Sequence, residues 1–217
     1  MAAVVTISAS FGAGGSIVGP QVAQRLGLPF LDRAIPAAAA RRLQIPEAVA
    51  SALDERAPSV LERLAGALAH ASAPIGPDPV DMVGEDDPDE FRHATEAVLR
   101  QVADTTGAVV LGRCAMVVLG GRPDVLTVRL DGPAERRVAA VVAREKTDEA
   151  AARRAQRESD RTRDAYARVF YRVNQDDPKL YHLMIDTTAV DLGACVDLVV
   201  RAAVARCALR DVIAQAP

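Results

Sequence analysis

The sequence has almost no lysine. Only Lys146 and Lys179 occur, so 24 of the 26 cationic residues are arginines, and any anion the chain holds must be held by guanidinium groups or backbone amides. Tryptophan is absent, and Phe and Tyr together number seven in 217 residues. A chain this poor in aromatics lacks the stacking platforms on which proteins bind single-stranded nucleic acid. The three cysteines, Cys114, Cys195 and Cys207, cannot all pair within one chain and show no CxxC spacing. They lie in apolar contexts suited to packed free thiols, so a disulfide framework is excluded and a reducing cytoplasm is expected. His70, His93 and His182 are isolated from one another and from Cys or acidic partners at metal-ligand spacing, and are expected to have ordinary core or surface roles. Long apolar runs are missing too. Those around Val109 and Val117 are interrupted by Gly112, Arg113 and Gly120, well short of the roughly 20 residues that cross a bilayer. Met1 to Ile7 lacks the basic start of a secretory signal.

What the chain does have is apolar bulk and sorted charge. Half of its residues are hydrophobic, and a single compact unit of this length buries roughly 70% of its unfolded surface. The formal net charge is -3. Residues 136–172, however, carry 11 basic and 6 acidic side chains, and the remainder 15 and 23. A local excess of arginine in an otherwise acidic chain suits a phosphate site better than an extended nucleic-acid surface. Between Asp78 and Glu90 seven of thirteen residues are acidic and none is basic. With four prolines over 72–90, this stretch is expected to be an exposed, mobile loop rather than a Mg²⁺ site.

Apolar runs rich in β-branched residues predict strands at Ala3–Ile7, Leu28–Leu31, Ala108–Leu111, Val125–Leu130 and Leu183–Ile185. Helical spacing links Val18, Val22, Ala23 and Leu26, with Gly27 as a stop, and predicts helices over Phe91–Thr105, Ala134–Val142, Glu149–Tyr171 and Leu192–Ala214. Thr147 or Asp148 is placed to cap the third of these. Residues 34–71 read as two or three further helices. Short apolar strands alternating with helices predict a parallel sheet covered on both faces, with ligands beyond the strands' carboxyl ends. Asp32, Arg33, Arg113, Asp131 and Asp186 fall at or just past those ends.

Between the first strand and helix runs Phe11-Gly12-Ala13-Gly14-Gly15-Ser16. Without Cβ atoms in the way, backbone amides at a helix start can enclose a phosphate, although glycines at such a junction also serve plain tight turns. The pattern GxxxxGK[ST] is incomplete. Gly15 stands where the lysine belongs and Ile17 where the hydroxyl belongs; in the other register Pro20 takes the hydroxyl's place.

Ile7-Ser8 with Phe11-Gly12-Ala13-Gly14-Gly15 and Gly19, followed by Leu26-Gly27-Leu28-Pro29-Phe30-Leu31-Asp32-Arg33, resembles the opening of the cytidylate kinase-like proteins. Gly112-Arg113-Cys114-Ala115 is similar to their GRCA segment. Val128-Arg129-Leu130-Asp131 with Ala134-Glu135-Arg136-Arg137, then Asp160-Arg161-Thr162-Arg163, Asp177-Pro178, Tyr181 and Ile185-Asp186-Thr187 follow in order. The resemblance covers most of the chain outside about 34–90. It implies an α/β P-loop three-layer fold with a parallel five-stranded sheet and a helical lid, forming a single nucleoside monophosphate kinase-like domain over 1–217. Within it, 34–105 would be a helical acceptor-binding segment carrying the acidic loop 72–90, and 136–172 an arginine-rich lid.

The same resemblance implies an ATP-dependent kinase that transfers the γ-phosphoryl group to CMP or dCMP, with Mg²⁺ accompanying ATP. Its partners would be ATP and a nucleoside monophosphate, without nucleic acid or membrane. The loop residues Gly12, Ala13, Gly14, Gly15 and Ser16 would bind ATP. Asp32, Arg33, Arg113, Asp160 and Arg163 would bind the acceptor, and Arg113, Arg136 and Arg161 would supply catalytic charge; metal ligands are left open. Arg137, Arg144, Arg153 and Arg154 are expected instead to lie on solvated helix faces with i,i+4 pairs. The alternative is a catalytically silent nucleotide- or anion-binding protein of the same fold, and a third reading is a kinase for another small hydroxyl acceptor.

Overall fold

The computed structural model describes residues 3–32 and 88–214. The helices expected over 34–71, most of the acidic loop, and Arg33 lie outside them. Strand β1 (Val4–Ala9) leads through the glycine loop into helix α1 (Gly15–Leu26), followed by β2 (Phe30–Leu31), α2 (Pro88–Asp104), β3 (Ala108–Leu111) and α3 (Ala115–Leu119). Strand β4 (Val125–Asp131), helices α4 (Ala134–Glu145) and α5 (Glu149–Tyr171), strand β5 (Leu183–Asp186) and helix α6 (Leu192–Ala214) complete the chain. The sheet order is β2-β3-β1-β4-β5, and every pairing is parallel.

Alternation along the strands sorts the core into two layers. Val5 and Ile7, Val109 and Leu111, and Leu126, Val128 and Leu130 face α1 and α6, meeting Val18, Val22, Cys195, Val196 and Val199. Val4, Ala108, Val110 and Val125 face the other way, onto Val98, Leu99 and Val102 of α2 and Ala115 and Leu119 of α3. Each fully buried side chain of this size contributes roughly 1.5–3 kcal/mol of transfer free energy. The same alternation places Thr6 and Ser8 of β1 beside Thr127 and Arg129 of β4. Their polar row approaches the carboxyl end of the sheet, where the Ser8 hydroxyl donates to Met116 Sδ of α3 (3.4 Å).

Several boundaries differ from expectation for identifiable reasons. Helix α1 begins at Gly15, because Gly14 adopts a left-handed conformation (φ 77°) as its N-cap. Pro20 is therefore inside the helix rather than in its first turn; Pro20 and Ser16 are both exposed, so the carbonyl deprived of a partner opens to water. Helix α2 starts at Pro88, three residues before the expected Phe91. Proline suits a first helical position. The short helix α3, which carries no readable periodicity, had no counterpart in the sequence expectation. Helices α5 and α6 have the expected limits, and Asp148 caps α5 by accepting a 2.9 Å bond from the Ala151 amide.

Candidate active site

The glycine loop leaves β1 at its carboxyl end, with the Ser10 amide still bonded to the Leu130 carbonyl of β4. Gly12 (φ 79°) and Gly14 (φ 77°) make the two left-handed turns. A Cβ on Gly12 would stand 2.7 Å from the Arg137 carbonyl oxygen, so the loop is closed around glycine by backbone, not merely by a flexible side chain. The amides of Gly15 and Ser16 open α1 and have no intrahelical carbonyl to receive them. Of the five residues expected to bind ATP, Gly12, Ala13 and Gly14 thus form the turn ahead of α1, and Gly15 and Ser16 are its first two residues.

Helices α4 and α5 are docked on this loop. Phe11 packs against Val138, Val141 and Ala152. Its amide donates to Asp160 Oδ1 (2.9 Å), and its carbonyl accepts from Arg137 Nη1 (2.6 Å). Arg137 also donates through Nε to the Gly132 carbonyl (2.8 Å) and through Nη1 to Asp160 Oδ2 (2.9 Å). Arg144 reaches the Gly12 carbonyl (2.9 Å). Two arginines expected on solvated faces therefore hold the loop: Arg137 is buried, at 6% exposure. The i,i+4 expectation holds for Arg153, which pairs with Glu149.

Beside these contacts lies a cavity of about 190 Å³ lined by Ser10, Arg129, Asp131, Arg137, Asp160 and Arg163, together with Gly132, Asp164, Gln175 and Asp176. Arg129 is 5% exposed. Its Nη2 contacts Ser10 Oγ (3.0 Å), Asp131 Oδ2 (3.3 Å) and Asp176 Oδ1 (3.0 Å), while its Nε is buried without a partner. An unsatisfied donor on a buried cation costs about 1–3 kcal/mol or more, which an incoming anionic or carbonyl oxygen would relieve. Burial would raise the Asp160 carboxyl, but hydrogen bonds from the Phe11 amide, Gln156 and Arg137 hold it below the usual carboxylate range. Asp164 shifts the opposite way, pushed up by burial and by neighbouring Asp176.

The expected site residues separate. Asp160 meets the glycine loop at the Phe11 amide, and Arg163 lies 3.3 Å from Asp160. Arg136 and Arg161 are exposed and do not line the cavity; the arginine that does so from α4 is Arg137, one position further on. Asp32 is exposed just past β2. Arg113 follows β3 in a strained turn, where Gly112, Arg113 and Cys114 all have positive φ (82°, 59° and 49°). For the two non-glycine residues this conformation costs of order 1–3 kcal/mol each and needs surrounding structure to hold it. Cys114 supplies part of that hold, packed with Met116 and Ala167 in surroundings whose burial pushes its thiol up to about 12. The Arg113 guanidinium lies beside the Tyr166 hydroxyl. Arg129, Arg137 and Asp164 were not among the expected site residues. The readable signal for Arg129 was a lone charge inside the otherwise uncharged run Val125–Leu130.

Among the described residues no helix is long and apolar enough to cross a membrane, and no cluster of three His, Cys, Asp or Glu could hold a metal ion. The model of the cytidylate kinase-like family matches residues 4–189. No curated protein matches the chain. The fold is similar to that of an uncharacterized protein from Eubacterium ventriosum ATCC 27560, with 18% identity, TM-score 0.62, and 93% of this chain and 98% of that one covered. More distant matches include shikimate kinase from Acinetobacter baumannii in complex with shikimate, at 15% identity and TM-score 0.47 over 94% of each chain. A gluconokinase from Sinorhizobium meliloti 1021 matches at 16% identity and TM-score 0.48, with 99% of this chain and 98% of that one covered.

Proposed function

The chain belongs to the cytidylate kinase-like family, and on that premise we propose that it is an ATP-dependent phosphotransferase acting on CMP or dCMP. The observation that carries this reading is a cavity lined by three arginines, Arg129, Arg137 and Arg163, one of which, Arg137, bonds the Phe11 carbonyl of the glycine loop at the start of α1. Phosphoryl transfer asks mainly for positioning and neutralisation of charge in a closed site. The amides of Gly15 and Ser16 at the start of α1, with the glycine turn of Gly12 to Gly14 before them, hold the donor phosphates. Arg129 and Arg163 face the transferring group, and Arg137 keeps the loop in place. Arg113 holds the acceptor, on a turn whose strain fixes its direction. The β,γ oxygen–phosphorus bond of ATP breaks as an acceptor phosphate oxygen bonds to the γ-phosphorus, leaving ADP.

Neither lysine lines the cavity, so arginine and amide carry the charge that a loop lysine would supply. Mg²⁺ fits here as part of the substrate. Ile17 offers no ligand and the described residues hold no acidic triad, while the exposed Ser16 hydroxyl stands at the start of α1. Mg²⁺ needs few protein oxygens when nucleotide phosphates and water complete its shell.

The second reading, a silent nucleotide- or anion-binding protein, is favoured by one observation: the Asp160 carboxylate already occupies the Phe11 amide in the loop. The deciding experiment is ADP release from ATP and Mg²⁺ with a panel of nucleoside monophosphates and small polyols, run beside Arg113→Ala. Turnover confined to CMP and dCMP and lost in the variant supports the kinase. Nucleotide binding by calorimetry without turnover for any acceptor supports the silent protein, and turnover only with a polyol moves the acceptor class.

A further inference from the structure

Asp160 has no hydrogen-bonding capacity left. A carboxylate has two oxygens and about four lone-pair sites. Here Oδ1 accepts from the Phe11 amide and Arg163 Nη1 (2.9 and 3.3 Å), and Oδ2 from Arg137 Nη1 and Gln156 Nε2 (2.9 and 2.8 Å). A substrate group could bond to it only by displacing a donor that holds the glycine loop or α5. One helical turn further on the same face of α5, Asp164 lines the same cavity. Among the described residues its one hydrogen bond is a long 3.5 Å contact from Gln175 Nε2 to Oδ1.

Of the four carboxylates lining the cavity, Asp131, Asp160 and Asp176 each pair with an arginine, and Asp164 alone has no ion pair among the described residues. A partly buried carboxylate beside other carboxylates and without a strong donor is held at a cost to the fold. Arg129 lines the same cavity; its Nε is a buried donor without a partner, and its charge acts on Asp164. One open acceptor and one buried open donor match a ligand that carries an N–H or O–H group beside a lone-pair atom.

We infer that Asp164, not Asp160, is the carboxylate that recognises the acceptor, taking an N–H or O–H of that molecule, while Asp160 is a positioning residue for the glycine loop. This rests on the phosphotransferase reading of the site and adds to it the recognition chemistry: the acceptor presents a hydrogen-bond donor to α5 and a lone pair to Arg129.

The test compares wild type, Asp164→Asn and Asp160→Asn by steady-state ADP release with CMP, dCMP and UMP, by calorimetric binding of the same three, and by thermal midpoint. Losing a charge-assisted hydrogen bond in the site raises the acceptor KM of Asp164→Asn roughly 10- to 100-fold, with the ATP KM and Mg²⁺ requirement unchanged. Its thermal midpoint stays level or rises, because like-charge repulsion with Asp176 is removed; a merely structural Asp164 would give a fall instead. Asp160→Asn lowers the midpoint and weakens ATP. A loss seen with CMP but not dCMP identifies the 2′-hydroxyl as the donor, and one seen with CMP and dCMP but not UMP identifies the exocyclic amine.

An unchanged acceptor KM in Asp164→Asn overturns the inference, as does a raised Mg²⁺ requirement at constant acceptor KM. If no acceptor yields ADP, the phosphotransferase reading fails by itself, and calorimetry decides the inference. Weaker CMP binding in Asp164→Asn upholds it, equal binding overturns it, and no binding of any of the three to wild type overturns both.

Discussion

Arg137→Met removes a charge while nearly conserving side-chain length and apolar volume, so its effect reports the bonds rather than a cavity. In the native chain the Arg137 guanidinium satisfies three buried or half-buried acceptors: the Gly132 carbonyl, the Phe11 carbonyl and Asp160. Its side chain is 7% exposed and that of Asp160 is 22% exposed, so solvent screening is weak on one side and moderate on the other. Each bond of this charged kind is worth about 1.5–3 kcal/mol in isolation, but the three share one guanidinium and are not additive. Removing one partner of a buried pair costs about 3–5 kcal/mol. Both approaches meet in that range, which for a domain of this size lowers the thermal midpoint by about 6–20 °C. Urea unfolding of wild type, Arg137→Met, Asp160→Asn and the double variant gives the coupling between the two residues directly. A single-variant loss below about 1 kcal/mol, or a coupling near zero, would refute the claim that this pair clamps the loop. Arg137→Lys keeps the charge but not the fork, and recovers less than half of the loss.

Gly12→Ala places a methyl group 2.7 Å from the Arg137 carbonyl oxygen in a left-handed backbone; the conformation alone costs about 1–2 kcal/mol, and ATP affinity by calorimetry falls at least several-fold. The second perturbation is pH. His182 Nδ1 accepts from the Thr127 amide (3.0 Å), and burial, followed by the Arg206 charge, lowers its proton affinity. The folded state therefore binds fewer protons than the unfolded one. The stabilisation is complete above about pH 6.5 and is lost as pH falls from there through the lowered folded value. The urea midpoint should decline over that interval in wild type and flatten in His182→Gln; the same slope in both would rule His182 out as the cause.

Asp160 gives stability a second pH dependence, on the acid side. Its lowered carboxyl makes the clamp contribute fully above the ordinary carboxylate value of 3.8 and fade as pH drops through the folded value. Asp160→Asn removes that acid-side slope, whereas Asp164→Asn does not, because the Asp164 carboxyl is displaced upward. Unfolding curves from about pH 5 down to about pH 2 distinguish the two carboxylates without any substrate.

Local chemistry alone made much of the fold legible. The β-branched runs at Val4, Ala108 and Val125 are strands because branched side chains suit a doubly covered sheet. Asp148 and the helical spacing after it set the start and length of α5. The glycine loop was legible because Gly12 and Gly14 take left-handed turns that favour glycine, and at Gly12 a Cβ would also meet the backbone opposite. The resemblance to the cytidylate kinase-like family rested on short motifs spread through the chain, and the family model spans the same region.

The assignments within the site depended on tertiary structure. A helical repeat tells which residues share a face, but not which neighbour that face will meet. Arg136 and Arg137 are adjacent in sequence, yet the docking of α4 on Phe11 exposes one and buries the other. Asp160 and Arg163 were expected to meet a ligand and do share a face, but the Phe11 amide, 149 positions away in sequence, takes up the carboxylate. Arg129 looked like one more strand residue until the parallel register set it beside Ser8 and within reach of Ser10 and Asp176. Sequence by itself determined the elements and the phosphate-type loop, because propensity, capping and glycine geometry act over a few residues. Which charges are saturated and which remain open to a ligand was decided by contacts across more than a hundred residues, and those exist only once the sheet has closed.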